Sequence, residues 1–196
     1  VIGNDIIDLA YARKTSNWRR PRWLGKLFST AERTFIKQSN NPELSVWLLW
    51  SMKESAYKVI VQQEGKRFFA PKQVECSAIN QNLQTYSGQV KYKSKIIYTQ
   101  SEWNEAFVYT LAYPENQPSP IVSEVLSFPD TAESRYWLHQ QVVDRFTREA
   151  KFLAEAPRIQ KNNQGVPHIF SGNTQQSTSL SISHHGRFGA FSFVEL

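Results

Sequence analysis

The sequence predicts an α+β protein of two pseudo-symmetric halves, each a long helix packed on an antiparallel sheet. Three observations carry this expectation. A helical hydrophobic period runs from Asn41 to Gly65. Runs of β-favouring residues cluster after it. A proline-rich polar stretch, Pro114–Pro120, then separates two segments of similar element order. The halves on this reading are residues 1–113 and 121–196, joined by a linker over 114–120.

Taken in order, Val1–Leu9 reads as a buried strand in which Ile2, Ile6, Ile7 and Leu9 frame two carboxylates, Asp5 and Asp8. Ser29-Thr30-Ala31-Glu32 has capping-box form, so a short helix follows Ser29. Asn41 caps the long helix, Pro42 suits its first turn and Gly65 stops it. At about 1.5 Å per residue that helix spans roughly 30 Å, enough to cross a domain. Strands are expected over Gln73–Ala78, Gly88–Tyr98 and Ala106–Tyr113. Beyond the linker come a strand at Ile121–Phe128, a helix at Glu133–Ala154, a polar loop and a final strand at Ser179–Glu195. Val1–Leu9 matches Pro120–Phe128 in hydrophobic pattern, which sets Glu124 against Asp5, and Thr99–Ala112 matches Ser181–Val194 without a gap. Duplicated halves that bury their open faces on each other would give such a pattern; chance similarity of short apolar strands is the alternative.

The 196 residues are enough to bury a core, and 40% hydrophobic residues describe a folded chain. A single cysteine, Cys76, excludes an internal disulfide and fits a reducing compartment. No apolar run reaches the ~18 residues of a membrane span, and no charged-then-apolar signal opens the chain, so a cytoplasmic protein is expected. A net charge of +6 and a pI of about 9.4 favour an acidic partner. Much of the charge lies in Arg13, Lys14, Arg19, Arg20, Arg22 and Lys26, with no acid among them. The plain alternative is a solvated basic face.

Three clusters carry chemistry. In Gly3-Asn4-Asp5-Ile6-Ile7-Asp8 a carboxylate inside an apolar strand is costly unless paired, hydrogen-bonded or bound to a cation. Asp5 and Asp8 have opposite parity, so at most one serves a given face, and a strand-end Asp is more often a cap. In Trp50-Ser51-Met52-Lys53-Glu54-Ser55-Ala56-Tyr57-Lys58, Glu54 and Lys58 share a helix face with Trp47, Trp50 and Val61. An exposed i,i+4 ion pair there would contribute only about 0.3–0.5 kcal/mol. At the edge of a buried surface the same two residues suit a metal ligand and a phosphate-binding ammonium. In Ser181-Ile182-Ser183-His184-His185-Gly186-Arg187-Phe188 the adjacent histidines point to opposite faces, so one of them can face a site.

Together the clusters resemble the 4′-phosphopantetheinyl transferase superfamily, which includes the holo-acyl-carrier-protein synthases. That family combines a Gly-x-Asp strand, a Trp/Phe-x-x-Lys-Glu-x-x-x-Lys helix and a separate Ser-His strand. Here Asp5 and Glu54 lie 49 residues apart, Trp50, Lys53, Glu54 and Lys58 match the helix, and Ser183-His184 match the strand. Gln164-Gly165-Val166-Pro167 looks like the family's Gly-x-Pro lead-in, and Leu24–Glu32 like its segment between the first two motifs. Relative to the long monomeric type the motif order is reversed. Ile7 stands where that type has a second acid, Val166 where it has a lysine, and Asp8 where the short, trimer-forming type has an acid.

The resemblance implies Mg²⁺-dependent transfer of 4′-phosphopantetheine from coenzyme A to a serine of an acyl or peptidyl carrier protein, as in lipid or secondary-metabolite biosynthesis. It places Mg²⁺ on Asp5 and Glu54, makes Glu54 the base and Lys58 the catalytic ammonium, and assigns Ser183, His184 and Arg135 with Lys58 to coenzyme A. The partners implied are an acidic carrier and coenzyme A, with no membrane, for a monomer built as a pseudo-dimer. Two other classes stay open. One is an inactive homologue that binds coenzyme A or a carrier. The other is a basic nucleic-acid-binding protein that uses Trp18 and Trp23 as stacking platforms.

Overall fold

The computed structural model describes residues 1–115, 120–129, 134–150 and 155–194. The chain runs β1 (Gly3–Asp8), α1 (Leu9–Thr15), α2 (Trp23–Leu27), α3 (Thr30–Gln38), α4 (Pro42–Glu64), β2 (Glu75–Asn82), β3 (Thr85–Tyr92), β4 (Lys95–Trp103) and β5 (Phe107–Pro114). It continues through β6 (Ile121–Ser127), α5 (Ser134–Glu149), β7 (Pro157–Lys161), β8 (Pro167–Ser171), β9 (Thr174–Gln175), β10 (Leu180–His185) and β11 (Phe188–Val194). Three antiparallel sheets result, ordered β1-β5-β4-β3-β2, β10-β11-β6 and β7-β8-β9. The α+β class is as expected.

Local chemistry explains the helices. Ser29 and Glu32 form the reciprocal capping box of α3. Asn41 accepts from the Leu44 N–H at the start of α4, Pro42 stands in its first turn, and Gly65 ends it at a left-handed φ of 64°. Leu48, Leu49, Met52, Ala56, Val59 and Ile60 of α4 are all buried, so the helix is apolar nearly all round and forms the spine of the main core. Each such aliphatic side chain contributes about 1.5–3 kcal/mol of transfer free energy, before the entropy cost of ordering it. Strand β1 lies directly on this helix. A Cβ at Gly3 would stand 2.0 Å from the Ser55 carbonyl oxygen, so only glycine permits the approach. In the second core Leu138, Val142 and Phe146 recur every fourth residue on α5 and pack with Phe191 and Phe193 of β11.

Several expectations need correction. Gly88–Tyr98 is not one strand. It is the β3–β4 hairpin, which turns between Tyr92 and Lys95 with Lys93 at a left-handed φ of 53°. Ser179–Glu195 is likewise a hairpin, β10–β11, turning at Gly186-Arg187. The expected polar loop after α5 holds the small β7-β8-β9 sheet. The first strand ends at Asp8, and two short helices, α1 and α2, follow it. Residues 116–119 of the linker, the expected helix residues 133 and 151–154, and Glu195 lie outside the described residues. The orders β1-β5-β4 and β6-β11-β10 place corresponding strands alike. Their registers differ, however. Asp5 faces Thr110 and Glu124 faces Phe191, one residue away from the pairing that the sequence match implies. No described helix is long and apolar enough to cross a membrane.

The β1 edge facing β10 is satisfied by side chains instead of a backbone ladder. Ile2 N–H donates to Ser179 Oγ at 2.9 Å, Asn4 N–H to Ser181 Oγ at 2.9 Å and Asp8 N–H to His185 Nδ1 at 3.0 Å. Alternate residues of β10 thus meet alternate amides of β1, each pair 177 residues apart in sequence.

A buried ion pair fixes the opposite side of α4. Lys53 Nζ lies 2.7 Å from Glu32 Oε1, and both side chains are almost wholly buried. Lys53 also donates to the carbonyls of Pro71 and Val74, and Glu32 accepts from the Cys76 amide. Removing one partner strands the other charge, which costs about 3–5 kcal/mol. Lys53→Met should therefore lower unfolding stability by about that amount in urea titration; a loss below about 1 kcal/mol would mean the pair is not the clamp described.

Candidate active site

The seam between β1, α4 and β10 opens into a cavity of about 530 Å³. Asp5 enters it from β1, Glu54 and Lys58 from α4, Ser183 and His184 from β10, and Arg135 from α5. All six candidate residues therefore line one cavity. Sequence reasoning did not single out Arg67, His139 and Lys161, which also line it, whereas Gln164 stands in the Gly-x-Pro lead-in already named. His139 lies one turn beyond Arg135 on a helix already expected, which was the available signal. Arg67 and Lys161 sit in segments without periodicity and carried none.

Asp5 and Glu54 enter because β1 crosses α4 at Gly3, where Ser51 Oγ donates to the Asp5 carbonyl at 3.4 Å. Burial pushes the Asp5 carboxyl up to about 7, outweighing the opposing pull of Lys58, and the nearby Glu54 charge adds to the rise. Burial raises Glu54 as well, again against Lys58. Lys58 is pulled down by burial, with Asp5 and Glu54 opposing. Its ammonium does not form a close i,i+4 pair with Glu54. It donates to the Asn4 carbonyl at 2.6 Å and the Ile182 carbonyl at 3.2 Å, and lies 4.0 Å from Asp5 Oδ1. Lys58 thereby ties β1 to β10 while keeping its charge at the cavity floor.

Two buried oxygens in the cavity have no partner among the described residues, Asp5 Oδ2 and Ser183 Oγ. Unpaired polar atoms in such positions are costly, and both residues line the same cavity. Asp5 and Glu54 present hard oxygen donors side by side, the donor type that Mg²⁺ takes while keeping several waters. No cluster of three or more His, Cys, Asp or Glu exists among the described residues, so the donor set is this carboxylate pair. The residues present fit such an ion.

His184 and His185 divide as strand geometry requires. His184 lines the cavity, and burial together with the Arg135 charge lowers its pKa. His185 turns to the β1 edge and meets Tyr11 edge to face at 5.1 Å. Asp8 is a cap, not a cavity residue: it accepts from the Ala10 and Tyr11 amides. Burial alone would raise its carboxyl, but the Arg187 guanidinium and amide and the Tyr11 amide hold it well below the usual carboxylate range. The early basic residues are all exposed. Trp18 and Trp23 are not free platforms, however. Trp18 is buried with the Arg19 guanidinium 4.1 Å above its ring, and Trp23 packs on Phe28 and Trp47.

The α+β frame thus sets two carboxylates and an ammonium on the floor of a cleft lined by further cations. The ACPS family, described as the 4′-phosphopantetheinyl transferase superfamily, matches residues 1–112, and the chain belongs to that superfamily. The matched segment carries Asp5, Glu54 and Lys58; Ser183 and His184 lie beyond it. A comparison with curated proteins gave no match.

The raised Asp5 pKa has a thermodynamic consequence in metal-free protein. With a folded value of about 7 against 3.8 for a freely solvated aspartate, the protonated form favours folding. That stability is complete below about pH 4 and is lost as pH rises through about 7, amounting to at most about 4 kcal/mol. Asp5→Asn removes the titration. In chelator, the variant should gain stability relative to the parent between pH 4 and pH 8. A parent–variant difference that stays constant across that range would contradict the burial of an unpaired Asp5 carboxyl.

Proposed function

We propose that the protein transfers 4′-phosphopantetheine from coenzyme A to a serine hydroxyl of an acyl or peptidyl carrier protein, with Mg²⁺. The observation that carries this reading is the meeting of Asp5, Glu54, Lys58, Ser183 and His184 in one cavity, although they come from opposite ends of the chain. On this reading segments 1–113 and 121–196 act as two halves of a monomer, with the site between them and the cytoplasm as its setting. Phosphoryl transfer depends mainly on positioning and charge stabilisation, so a cleft of cations and carboxylates suits it without a covalent nucleophile.

Asp5 and Glu54 would hold the Mg²⁺, which when bound supplies charge neutralisation at the pyrophosphate. Glu54, or a water held by it, takes the proton of the carrier serine as its oxygen attacks the β-phosphorus. The bond to the bridging oxygen breaks, and the 3′,5′-bisphosphate nucleotide leaves. Lys58 is fixed by two carbonyls and offsets the charge growing on the phosphates. Ser183, His184 and Arg135 orient the nucleotide. A second groove of about 170 Å³, walled by Trp50, Tyr57 and Phe68, shares Glu54 and Tyr57 with the main cavity. A donor with a charged nucleotide and a long thin arm fits this pair of spaces.

Mass spectrometry of an apo-carrier incubated with coenzyme A and Mg²⁺ tests the reading. Asp5→Ala and Glu54→Gln should each lower kcat/KM by about a hundredfold or more, since losing one ligand of a charge-neutralising ion forfeits several kcal/mol. Near-normal turnover by either variant at saturating Mg²⁺ rules out its place in the metal site.

The carrier is expected to be acidic. Helix α1 follows β1 directly, and Arg13, Lys14, Arg19, Arg20, Arg22 and Lys26 present an exposed basic face there. Rim charges act chiefly on encounter and are screened over about 8–10 Å at ordinary ionic strength. Reversing Arg19, Arg20 and Arg22 to Glu should raise KM for the carrier, flatten its salt dependence and leave KM for coenzyme A nearly unchanged. Unaltered carrier kinetics would move the docking face elsewhere.

A further inference from the structure

The β1 edge that faces β10 has carbonyls as well as amides to satisfy, and α4 supplies their donors. Gln62 Nε2 donates to the Ile2 carbonyl at 2.6 Å, and Lys58 Nζ donates to the Asn4 carbonyl at 2.6 Å. The same two side chains also reach the other strand. Gln62 Oε1 accepts from Ser179 Oγ at 2.7 Å, at the entry to β10, and Lys58 donates to the Ile182 carbonyl within it. Two rungs therefore cross the seam, each joining α4 to both strands. Their spacing fits the backbone: four residues of helix rise about 6 Å and two residues of strand advance about 6.6 Å, so Gln62 and Lys58 fall level with Ile2 and Asn4.

The Gln62 rung is a closed ring. The Ile2 carbonyl can only accept, which fixes the Gln62 amide with Nε2 toward it and Oε1 toward Ser179. The Ser179 hydroxyl donates to Oε1 and accepts from the Ile2 N–H at 2.9 Å. Gln62 lines the main cavity, yet both polar atoms of its amide already have partners in the ring. Ser179, Ser181 and Ser183 alternate along the same side of this segment. The first two bond to β1 amides. The Ser183 hydroxyl is buried with no partner among the described residues. Such a hydroxyl is costly and would close on any partner that a shift of β10 brought within reach. The two rungs oppose that shift, and Gln62 is the one without a place in the chemistry.

We propose that Gln62 is a positioning residue: its ring fixes β10 against β1 and so keeps the Ser183 hydroxyl free for the phosphates of coenzyme A. The role rests on the transferase reading for its ligand, and the test separates the two. It is a double-mutant cycle in the full chain, with Gln62→Met, Ser183→Ala and the pair each titrated calorimetrically with coenzyme A. Ser183→Ala should lose about tenfold in affinity, as for one hydrogen bond to a charged group. Gln62→Met should lose a similar factor in the parent, but less than about twofold where Ser183 is already alanine. Its urea midpoint should fall equally in both backgrounds. Ser179→Ala opens the same ring from a side chain outside the main cavity, so it should show the same coupling even if Gln62→Met does not fold. Equal loss of affinity in both backgrounds, or loss in neither, overturns the assignment and leaves the transferase reading standing. A parent that shows the coupling but leaves apo-carrier unmodified overturns the transferase reading alone. A parent that does not bind coenzyme A overturns both.

Discussion

Everything at the centre of this protein depends on how the outer edge of β1 is satisfied. A strand buried between a helix and a second sheet carries amides that must find acceptors. Backbone pairing with β10 would have supplied them at a strand spacing of about 4.8 Å and made one continuous sheet. Instead Ser179, Ser181 and His185 reach across to the amides of Ile2, Asn4 and Asp8. Ser183 occupies the remaining place in that series, and its hydroxyl is buried without a partner among the described residues. The seam is therefore made of side chains, with room beside it for a cavity whose floor is Asp5, Glu54 and Lys58.

The same seam explains the unusual company that the carboxylates keep. Gly3 lets β1 sink onto α4 so closely that a Cβ would collide with the Ser55 carbonyl, and Asp5 and Glu54 then face the same half-buried cavity. The free energy lost by burying these carboxylates is offset elsewhere in the fold, by the apolar faces of α4 and by the Glu32–Lys53 clamp on its far side. Lys53 and Lys58 thus divide the labour of a six-residue stretch of helix. One ammonium is locked in the core, and the other, half-buried, is held by carbonyls at the cavity floor.

What could be read from the sequence follows the range of the interactions. Helix α4 was legible to the residue because its signals are local: Asn41, Pro42, Gly65 and a periodic apolar face. The capping box at Ser29 was legible for the same reason. The β3–β4 turn was not, since Lys93 adopts its left-handed conformation without a glycine or asparagine to announce it. The β7-β8-β9 sheet read as a loop because its strands are short, polar and half-exposed. In the site, Asp5, Glu54, Lys58, Ser183, His184 and Arg135 could be named from motif spacing and chemistry. Lys161 and Arg67 could not, because only tertiary packing brings their segments to the cavity.

The distance in sequence across the seam also bears on how the molecule is assembled. Contacts between residues 177 positions apart rank among the least local that a chain of 196 residues can make. Closing so large a loop is entropically unfavourable until the partners have surfaces to offer, and folds rich in such contacts fold slowly. Helix α4 with β2–β5 can collapse on local and hairpin contacts, whereas the pairing of β6 with β11 already spans Ser127 to Phe188. The junction of β1 with β10 must wait for both. Chain-closure entropy therefore favours forming the cleft after the layers it joins, with its two carboxylates hydrated until those layers meet.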